Sequence, residues 1–106
     1  MTFQHLDQIK AKELAPGCSA KLIHTDNMTV AHWRLEAGAE IPEHAHPHEQ
    51  VANMIEGQFE FTVDGVTQVV GPGNIAVILP NVRHSGKALT ACYMIDGFYP
   101  TREDYK

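Results

Sequence analysis

The sequence has little that would direct the protein to a membrane or to nucleic acid. No stretch approaches the roughly 18 apolar residues of a membrane span, and residues 1–17 lack the charged-then-apolar profile of a signal peptide. The eight lysines and arginines are scattered along the chain, and the formal net charge is −5. Because nucleic-acid binding needs a basic stripe, these absences predict a cytoplasmic protein with neither nucleic-acid nor membrane partners.

Cysteines and glycine-rich loops are also scarce. Cys18 and Cys92 are the only cysteines and stand far apart, so we predict two reduced thiols and no disulfide framework. Neither of the glycine motifs that cradle a phosphate is present, which argues against a nucleotide cofactor. With no repeat, low-complexity run or linker, the chain predicts a single domain over residues 1–106, with an N-terminal arm at 1–17.

What the sequence does have is an apolar period of two, interrupted by turn residues at intervals of roughly eight to twelve positions. In the segment 58–70, Phe59, Phe61 and Val63 alternate with polar residues, and the pair Asp64-Gly65 that favours tight hairpins follows directly. This pattern predicts a hairpin here and an all-β sandwich or barrel for the chain.

The same alternation predicts further strands along the chain. They cover residues 28–36, 41–46, 50–56, 75–79 and 90–98. The segment 5–14 fits either a short helix or an extended arm, ended by Pro16-Gly17, and the segment 79–86 has the composition of a turn.

Three histidines stand at alternate positions in the stretch "IPEHAHPHEQ", residues 41–50. On a regular strand, His44, His46, His48 and Gln50 share one face, while Glu43 and Glu49 lie on the other. Pro47 interrupts the strand and leaves the face of His48 less defined. Neighbouring buried imidazoles need hydrogen bonds or a metal ion, whereas the "HAH" pair alone fits a solvated loop or a hydrogen-bonded pair better than a metal site.

The glycines around this stretch complete a recognisable frame. Residues 38–57 read "GAEIPEHAHPHEQVANMIEG", which resembles the first motif of the cupin superfamily, and residues 73–84 resemble the second. The second match departs at Leu79, where a proline is usual, and at Asn81, which replaces the turn glycine. Asparagine tolerates the left-handed conformation, so the turn is compatible with the motif.

The resemblance implies an RmlC-like cupin, a double-stranded β-helix or jelly-roll barrel. It also implies one divalent transition metal ion, with Ni, Mn, Fe, Co and Zn all possible, held by His44, His46, Gln50 and His84. Glutamate is usual in the family where Gln50 stands. Three imidazoles and an amide leave the metal charge uncompensated, which favours Lewis-acid chemistry over oxygen activation. Glu49, on the opposite face, is the rival ligand, and His48 is a reserve ligand.

A second group of candidate residues lies on the last predicted strand. Cys92, Met94, Asp96 and Phe98 share a face, and Arg102 follows after a proline. An aspartate among apolar residues has a raised pKa if it is buried, and is held ionised if an arginine reaches it. Alternatively, Asp96 only caps a loop and the chain end is a solvated tail.

The ending Asp96 to Arg102 resembles that of the KdgF-type cupins of pectin and alginate degradation. Those proteins convert 4,5-unsaturated monouronates to linear 4-deoxy-5-keto uronates. The resemblance implies that Asp96 acts as the acid and base, that Arg102 binds the carboxylate of a sugar acid, and that Phe98 forms a pocket wall. The alternatives are another metal-dependent cupin enzyme, such as a dioxygenase or sugar isomerase, and a non-catalytic small-molecule-binding cupin. Edge strands of a small barrel also predict a homodimer.

Overall fold

The computed structural model describes residues 2–106, which form ten β-strands and two short 3-10 helices. The strands are β1 (Lys12–Ala15), β2 (Cys18–His24), β3 (Thr29–Leu35), β4 (Glu40–His44), β5 (Glu49–Glu56), β6 (Phe59–Val63), β7 (Val66–Val70), β8 (Ile75–Ile78), β9 (His84–Ala88) and β10 (Cys92–Tyr99). The 3-10 helices are Leu6–Gln8 and Glu103–Tyr105. Within residues 2–106, no helix has the length and apolar character needed to cross a membrane.

The strands form two antiparallel sheets that pack as a jelly-roll sandwich. One sheet has six strands in the order β1-β2-β3-β10-β5-β8, and the other has four in the order β4-β9-β6-β7. The predicted all-β fold class is therefore confirmed. Since neighbouring strands of a sheet, such as β3 and β10, lie far apart in sequence, most contacts between residues are long-range.

The core lies between the two sheets and follows the alternation that the sequence predicts. Along β10, every second residue from Cys92 to Phe98 is buried. Phe59 and Phe61 of β6 pack edge to face, with ring centroids 5.1 Å apart. Burial of a side chain of this size contributes roughly 2–3 kcal/mol to stability.

The predicted hairpin is present as β6 and β7. Its two turn residues, Asp64 and Gly65, have φ values of 49° and 78°. Both positive values match the turn type whose twist suits a two-residue hairpin, in which asparagine, aspartate and glycine are favoured. Across the hairpin, the hydroxyls of Thr62 and Thr67 hydrogen bond at 2.7 Å.

Two strands of the structure, β2 and β9, were not predicted from the sequence. Strand β2 was not predicted, because its inward residues include the small Cys18 and Ala20, which give a weak apolar signal. The segment 79–86 was predicted as a turn throughout, which is wrong, because β9 begins at His84. Within this strand, position 86 is occupied by glycine for a packing reason: a Cβ there would lie 2.0 Å from Cζ of Phe59.

The remaining predictions differ mainly at the boundaries. Segment 5–14 contains both alternatives, a 3-10 helix at Leu6–Gln8 and the start of β1 at Lys12. The strand predicted over 41–46 ends at His44, and residues 45–48 form a loop around Pro47. Asn81 adopts the left-handed conformation at φ 66°, and its N–H donates to the His46 carbonyl at 2.8 Å. This hydrogen bond ties the loop of the first motif to that of the second.

Candidate metal centre

Three imidazoles converge at one end of the sandwich. His44 ends β4, His46 lies in the following loop, and His84 begins β9 directly opposite His44 in the register of the two strands. The ring centroids are 4.2 Å apart for His44 and His84, and 4.9 Å apart for His46 and His84. One nitrogen from each ring lies within 4.8 Å of the others, so the cluster can hold a metal ion.

The backbone sets the tautomer of all three rings. Each Nδ1 lies against a carbonyl oxygen: His44 against Pro42 at 2.8 Å, His46 against His48 at 3.0 Å, and His84 against Val82 at 2.8 Å. A carbonyl can only accept, so each Nδ1 carries the hydrogen and each Nε2 presents a lone pair. Metal-binding histidines are commonly oriented in this way.

Gln50 brings an oxygen to the same place. Its amide nitrogen donates to Oδ2 of Asp96 at 2.9 Å, and its Oε1 lies 3.1 Å from Nε2 of His46. With this tautomer, His46 Nε2 and Gln50 Oε1 are both acceptors, and a cation beside them would satisfy both lone pairs. Nε2 of His84 is buried and has no partner within residues 2–106. Three nitrogens and one oxygen are a donor set that fits a divalent transition metal.

Near neutral pH, the cation beside His46 Nε2 and Gln50 Oε1 would not be a proton on the imidazole. Burial, the positive charge of Arg102 and the nearby His84 together lower the pKa of His46 to about 4. The pKa of His84 is also lowered, chiefly by burial. Both rings are therefore neutral at pH 7, which is the form that binds a metal.

Glu49 and His48, the alternative ligands considered from the sequence, lie outside the cluster of donor atoms. Glu49 is exposed, on the opposite face of β5 from the buried Gln50. His48 is half-buried, with its ring centroid 5.4 Å from that of His46, and its carbonyl is engaged by the His46 ring. Neither side chain belongs to the group of converging donor atoms.

Asp96 lies in the middle of β10 and is 3% exposed, so the alternative in which it caps a loop is wrong. Its neighbours in register are Ala31 on β3 and Ala52 on β5, whose small side chains leave room beside the carboxyl group. Burial raises the pKa of Asp96 to about 7, and the hydrogen bond from Gln50 partly opposes this rise. Its Oδ1 is buried without a hydrogen-bond partner among the described residues.

Arg102 is also buried, at 4% exposed, so this part of the chain end is not a solvated tail. Its guanidinium does not pair with Asp96. Instead, Nε and Nη2 donate to Asp104 at 3.0 and 2.8 Å. Its carbon Cζ lies 4.7 Å from the centroid of Phe98 and 3.8 Å from that of Tyr105. Sequence reasoning missed Asp104 and Tyr105, although an acidic and an aromatic residue close to a candidate arginine are a usable signal.

Phe98 links these residues to the imidazoles. Its ring centroid is 5.8 Å from that of His46, in an edge-to-face arrangement. Beside His44, a cleft of about 360 Å³ opens between β1, β3, β4 and the chain end, and Trp33, Asp104 and Tyr105 contribute to its lining. The predicted residues from both motifs and from β10 are thus gathered at one end of the sandwich.

Comparison with known proteins gives a consistent result. The family model described as the cupin domain matches residues 31–97. The pectin degradation protein KdgF of Dickeya dadantii (strain 3937) is 28% identical over 102 residues, which cover 93% of each chain.

Two solved structures are similar over nearly the whole chain. An RmlC-like cupin from Shewanella frigidimarina has a TM-score of 0.94 and 30% identity, covering 100% of this chain and 96% of that one. KdgF from Halomonas sp. has a TM-score of 0.91 and 26% identity, covering 98% and 97%. Because the family model matches more than half of the residues and the fold agrees, this chain belongs to the cupin domain family.

Proposed function

We propose that this protein is a metal-dependent enzyme that opens the ring of 4,5-unsaturated monouronates and releases linear 4-deoxy-5-keto uronates. The observation that carries the proposal is the buried Asp96 carboxyl group, joined through the Gln50 amide to a cluster of three imidazoles. The similarity to a pectin degradation protein supports the same substrate class.

In this proposal His44, His46, Gln50 and His84 hold one divalent metal ion, whose identity among Ni, Mn, Fe, Co and Zn is open. When bound, the ion would supply a Lewis acid that orients oxygen atoms of the substrate or of water. The chain fixes the four donor atoms by its own hydrogen bonds, three from imidazoles to carbonyls and one from the Gln50 amide to Asp96. Such support limits the reorganisation needed on binding.

Asp96 would act as the general acid. Its Oδ2 accepts the Gln50 N–H, so in the neutral carboxyl group the proton lies on the unpartnered Oδ1. The ring of the substrate is an enol ether, and transfer of this proton to C4 leaves positive charge at C5. Water adds at C5 and its proton returns to the Asp96 carboxylate, and the resulting hemiketal opens to a ketone. A pKa of about 7 suits a group that must both give and recover a proton near neutral pH.

Arg102 and Phe98 would hold the substrate against these groups. The guanidinium retains a buried Nη1 without a hydrogen-bond partner among residues 2–106, and a guanidinium edge matches the geometry of a carboxylate. Its charge lowers the pKa of both His46 and His84, which supports a role for Arg102 beside the imidazoles. The Phe98 ring lies between Arg102 and His46 and would form an apolar wall.

The test is the loss of ultraviolet absorbance of a 4,5-unsaturated galacturonate on addition of the purified, metal-analysed protein. We expect loss with the parent and at most slow background loss with Asp96→Asn, at equal metal content. If the metal-loaded parent is no faster than buffer, the proposal is overturned. Oxygen consumption, measured in the same samples, would indicate a dioxygenase instead.

We also infer that a second copy of this chain covers the outer face of β5 and β8. Val51 and Val77 are register partners on this face and are 41% and 64% exposed, and Ile75 is 63% exposed. A copy related by a two-fold axis would bury these exposed apolar side chains against the same residues of its partner. Light scattering should show a dimeric parent and a monomeric Val77→Lys variant, whereas a monomeric parent would contradict the inference. The cytoplasmic location stays a prediction that cell fractionation would test.

A further inference from the structure

The residues after β10 are held in place by the turn between β2 and β3 and by the start of β3. The hydroxyl of Thr101 donates to the Thr25 carbonyl at 2.9 Å, and the backbone N–H of Arg102 donates to Oγ1 of Thr29 at 2.9 Å. The N–H of Tyr105 returns to the Arg102 carbonyl at 3.1 Å, which closes the turn. The backbone that carries Arg102 is therefore anchored independently of its side chain.

The guanidinium group has two edges that can each bind a carboxylate. In this structure the edge formed by Nε and Nη2 is occupied by both oxygens of Asp104. The edge formed by Nη1 and the second hydrogen of Nη2 is left over, and Nη1 is buried without a hydrogen-bond partner in the part of the chain that the structure describes. A buried, unpaired donor of this kind is costly unless a ligand completes it.

Two aromatic rings pack against the Arg102 guanidinium. Tyr105 and Phe98 lie against the guanidinium, and their centroids are 6.0 Å apart with the rings nearly perpendicular. Asp104 occupies one edge of the guanidinium, so the edge that contains Nη1 is the one left for a carboxylate ligand. The Asp104 side chain itself is 57% exposed, whereas that of Arg102 is 5% exposed.

We propose that Asp104 is a positioning residue that holds Arg102 so that a sugar-acid carboxylate meets only the Nη1 edge of the guanidinium. The proposal rests on the proposed function for its ligand class, a monosaccharide carboxylate, but it concerns binding rather than turnover. An ion pair that merely stabilised the surface would contribute roughly 0–1 kcal/mol and would leave the affinity for such a ligand unchanged.

The first test compares binding of saturated galacturonate, which cannot react by this route, to metal-loaded variants by calorimetry. We expect Asp104→Asn to weaken binding by about tenfold or more, the size of effect expected when a charge-assisted hydrogen bond is disturbed. Asp104→Glu should restore part of the affinity because it keeps the carboxylate. Glu103→Gln is the matched control, since Glu103 is the neighbouring carboxylate and pairs only with Lys106 at the surface.

If Asp104→Asn binds galacturonate as tightly as the parent while Arg102→Ala does not, Asp104 has no positioning role and the proposal is overturned. If the enzyme assay shows turnover, Asp104→Asn should raise KM about as much as it weakens binding, with kcat changed far less. An equal loss in kcat with an unchanged KM would also overturn it. Absence of turnover by the parent would refute the proposed function but would leave the galacturonate comparison intact.

A measurement on the parent protein avoids any dependence on how well a variant folds. In nitrogen-15 NMR spectra, the Nε–H of Arg102 should exchange slowly with solvent both before and after addition of galacturonate, because Asp104 keeps this edge in both states. The control is galactose, which lacks the carboxylate and should leave the Arg102 signals unmoved. If galacturonate displaces Asp104 and makes the Nε–H exchange rapidly, the proposal is wrong.

Discussion

The buried carboxyl group of Asp96 should make the stability of the metal-free protein depend on pH, and replacement by asparagine should remove that dependence. The pKa of Asp96 is raised from the usual 3.8 to about 7. The folded state therefore binds the proton more tightly than the unfolded chain. The resulting stabilisation is fully present below pH 3.8 and is lost as the pH rises to about 7, above which the folded protein carries a buried carboxylate.

The size of the effect follows from the same values. At about 1.4 kcal/mol for each pH unit, a pKa raised from 3.8 to about 7 corresponds to about 4 kcal/mol between the two ends of the range. Asparagine has nearly the same shape and does not ionise. The free energy of unfolding of Asp96→Asn, relative to the parent, should thus rise by up to about 4 kcal/mol between pH 4 and pH 8.

Urea unfolding of chelator-treated parent and variant at pH 4, 6 and 8 measures this difference. The histidines are the same in both proteins, so their contributions to the pH dependence largely cancel in the comparison. Asp26→Asn, a change at an exposed turn residue, controls for the loss of one negative charge from the chain. A relative stability of Asp96→Asn that is constant from pH 4 to pH 8 would refute the burial argument and, with it, the role of Asp96 as a neutral acid.

Four further predictions follow from the site and its support. His46→Ala should lose metal in elemental analysis with its β-sheet circular dichroism kept, because the core does not depend on this ring; retained metal would contradict the ligand set. Metal content after dialysis should be equal at pH 7 and pH 6, since the pKa of His46 is lowered to about 4, and a loss centred near pH 6.5 would argue against this. Gln50→Glu should keep metal but move the alkaline limit of activity to higher pH, because a second carboxylate beside Asp96 raises the pKa of that acid; an unmoved limit would count against the hydrogen bond. Gly86→Ala should lower the free energy of unfolding by about 1–3 kcal/mol in urea, because its Cβ would lie 2.0 Å from Cζ of Phe59, and a variant as stable as the parent would disprove this packing argument.

The proposed chemistry depends on uncharged side chains around the proposed divalent metal ion. The imidazoles of His46 and His84, the Gln50 amide and the protonated Asp96 carboxyl group carry no charge near neutral pH. Arg102, paired with Asp104, adds a positive edge that is balanced locally. In the proposed function, a carboxylate ligand would be attracted both to a bound metal ion and to Arg102, which would favour sugar acids over neutral sugars.

Short-range sequence patterns determined most of the strands, the hairpin turn and the family motif of this protein. Alternating apolar residues determined most strands, and the pair Asp64-Gly65 determined the hairpin turn, because both properties depend on residues close together in sequence. The spacing of histidines and glycines in 38–57 was enough to indicate the family, and the buried face of β10 carried Asp96 as its alternation predicts.

Tertiary structure alone decided which of the distant groups meet. His84 lies opposite His44 because β4 pairs with β9, and this register is set by packing across forty residues of chain. Gly86 has turn-like character in the sequence, but it lies in a strand because it pairs with Ile41 and Phe61, and the Phe59 ring leaves no room for a side chain there. The anchoring of the turn after β10 also decides that the Arg102 guanidinium does not pair with Asp96, so it pairs with its sequence neighbour Asp104 instead. A local period specifies the face on which a side chain lies, whereas its partner is chosen by sheet register and burial, which arise only when the whole chain packs.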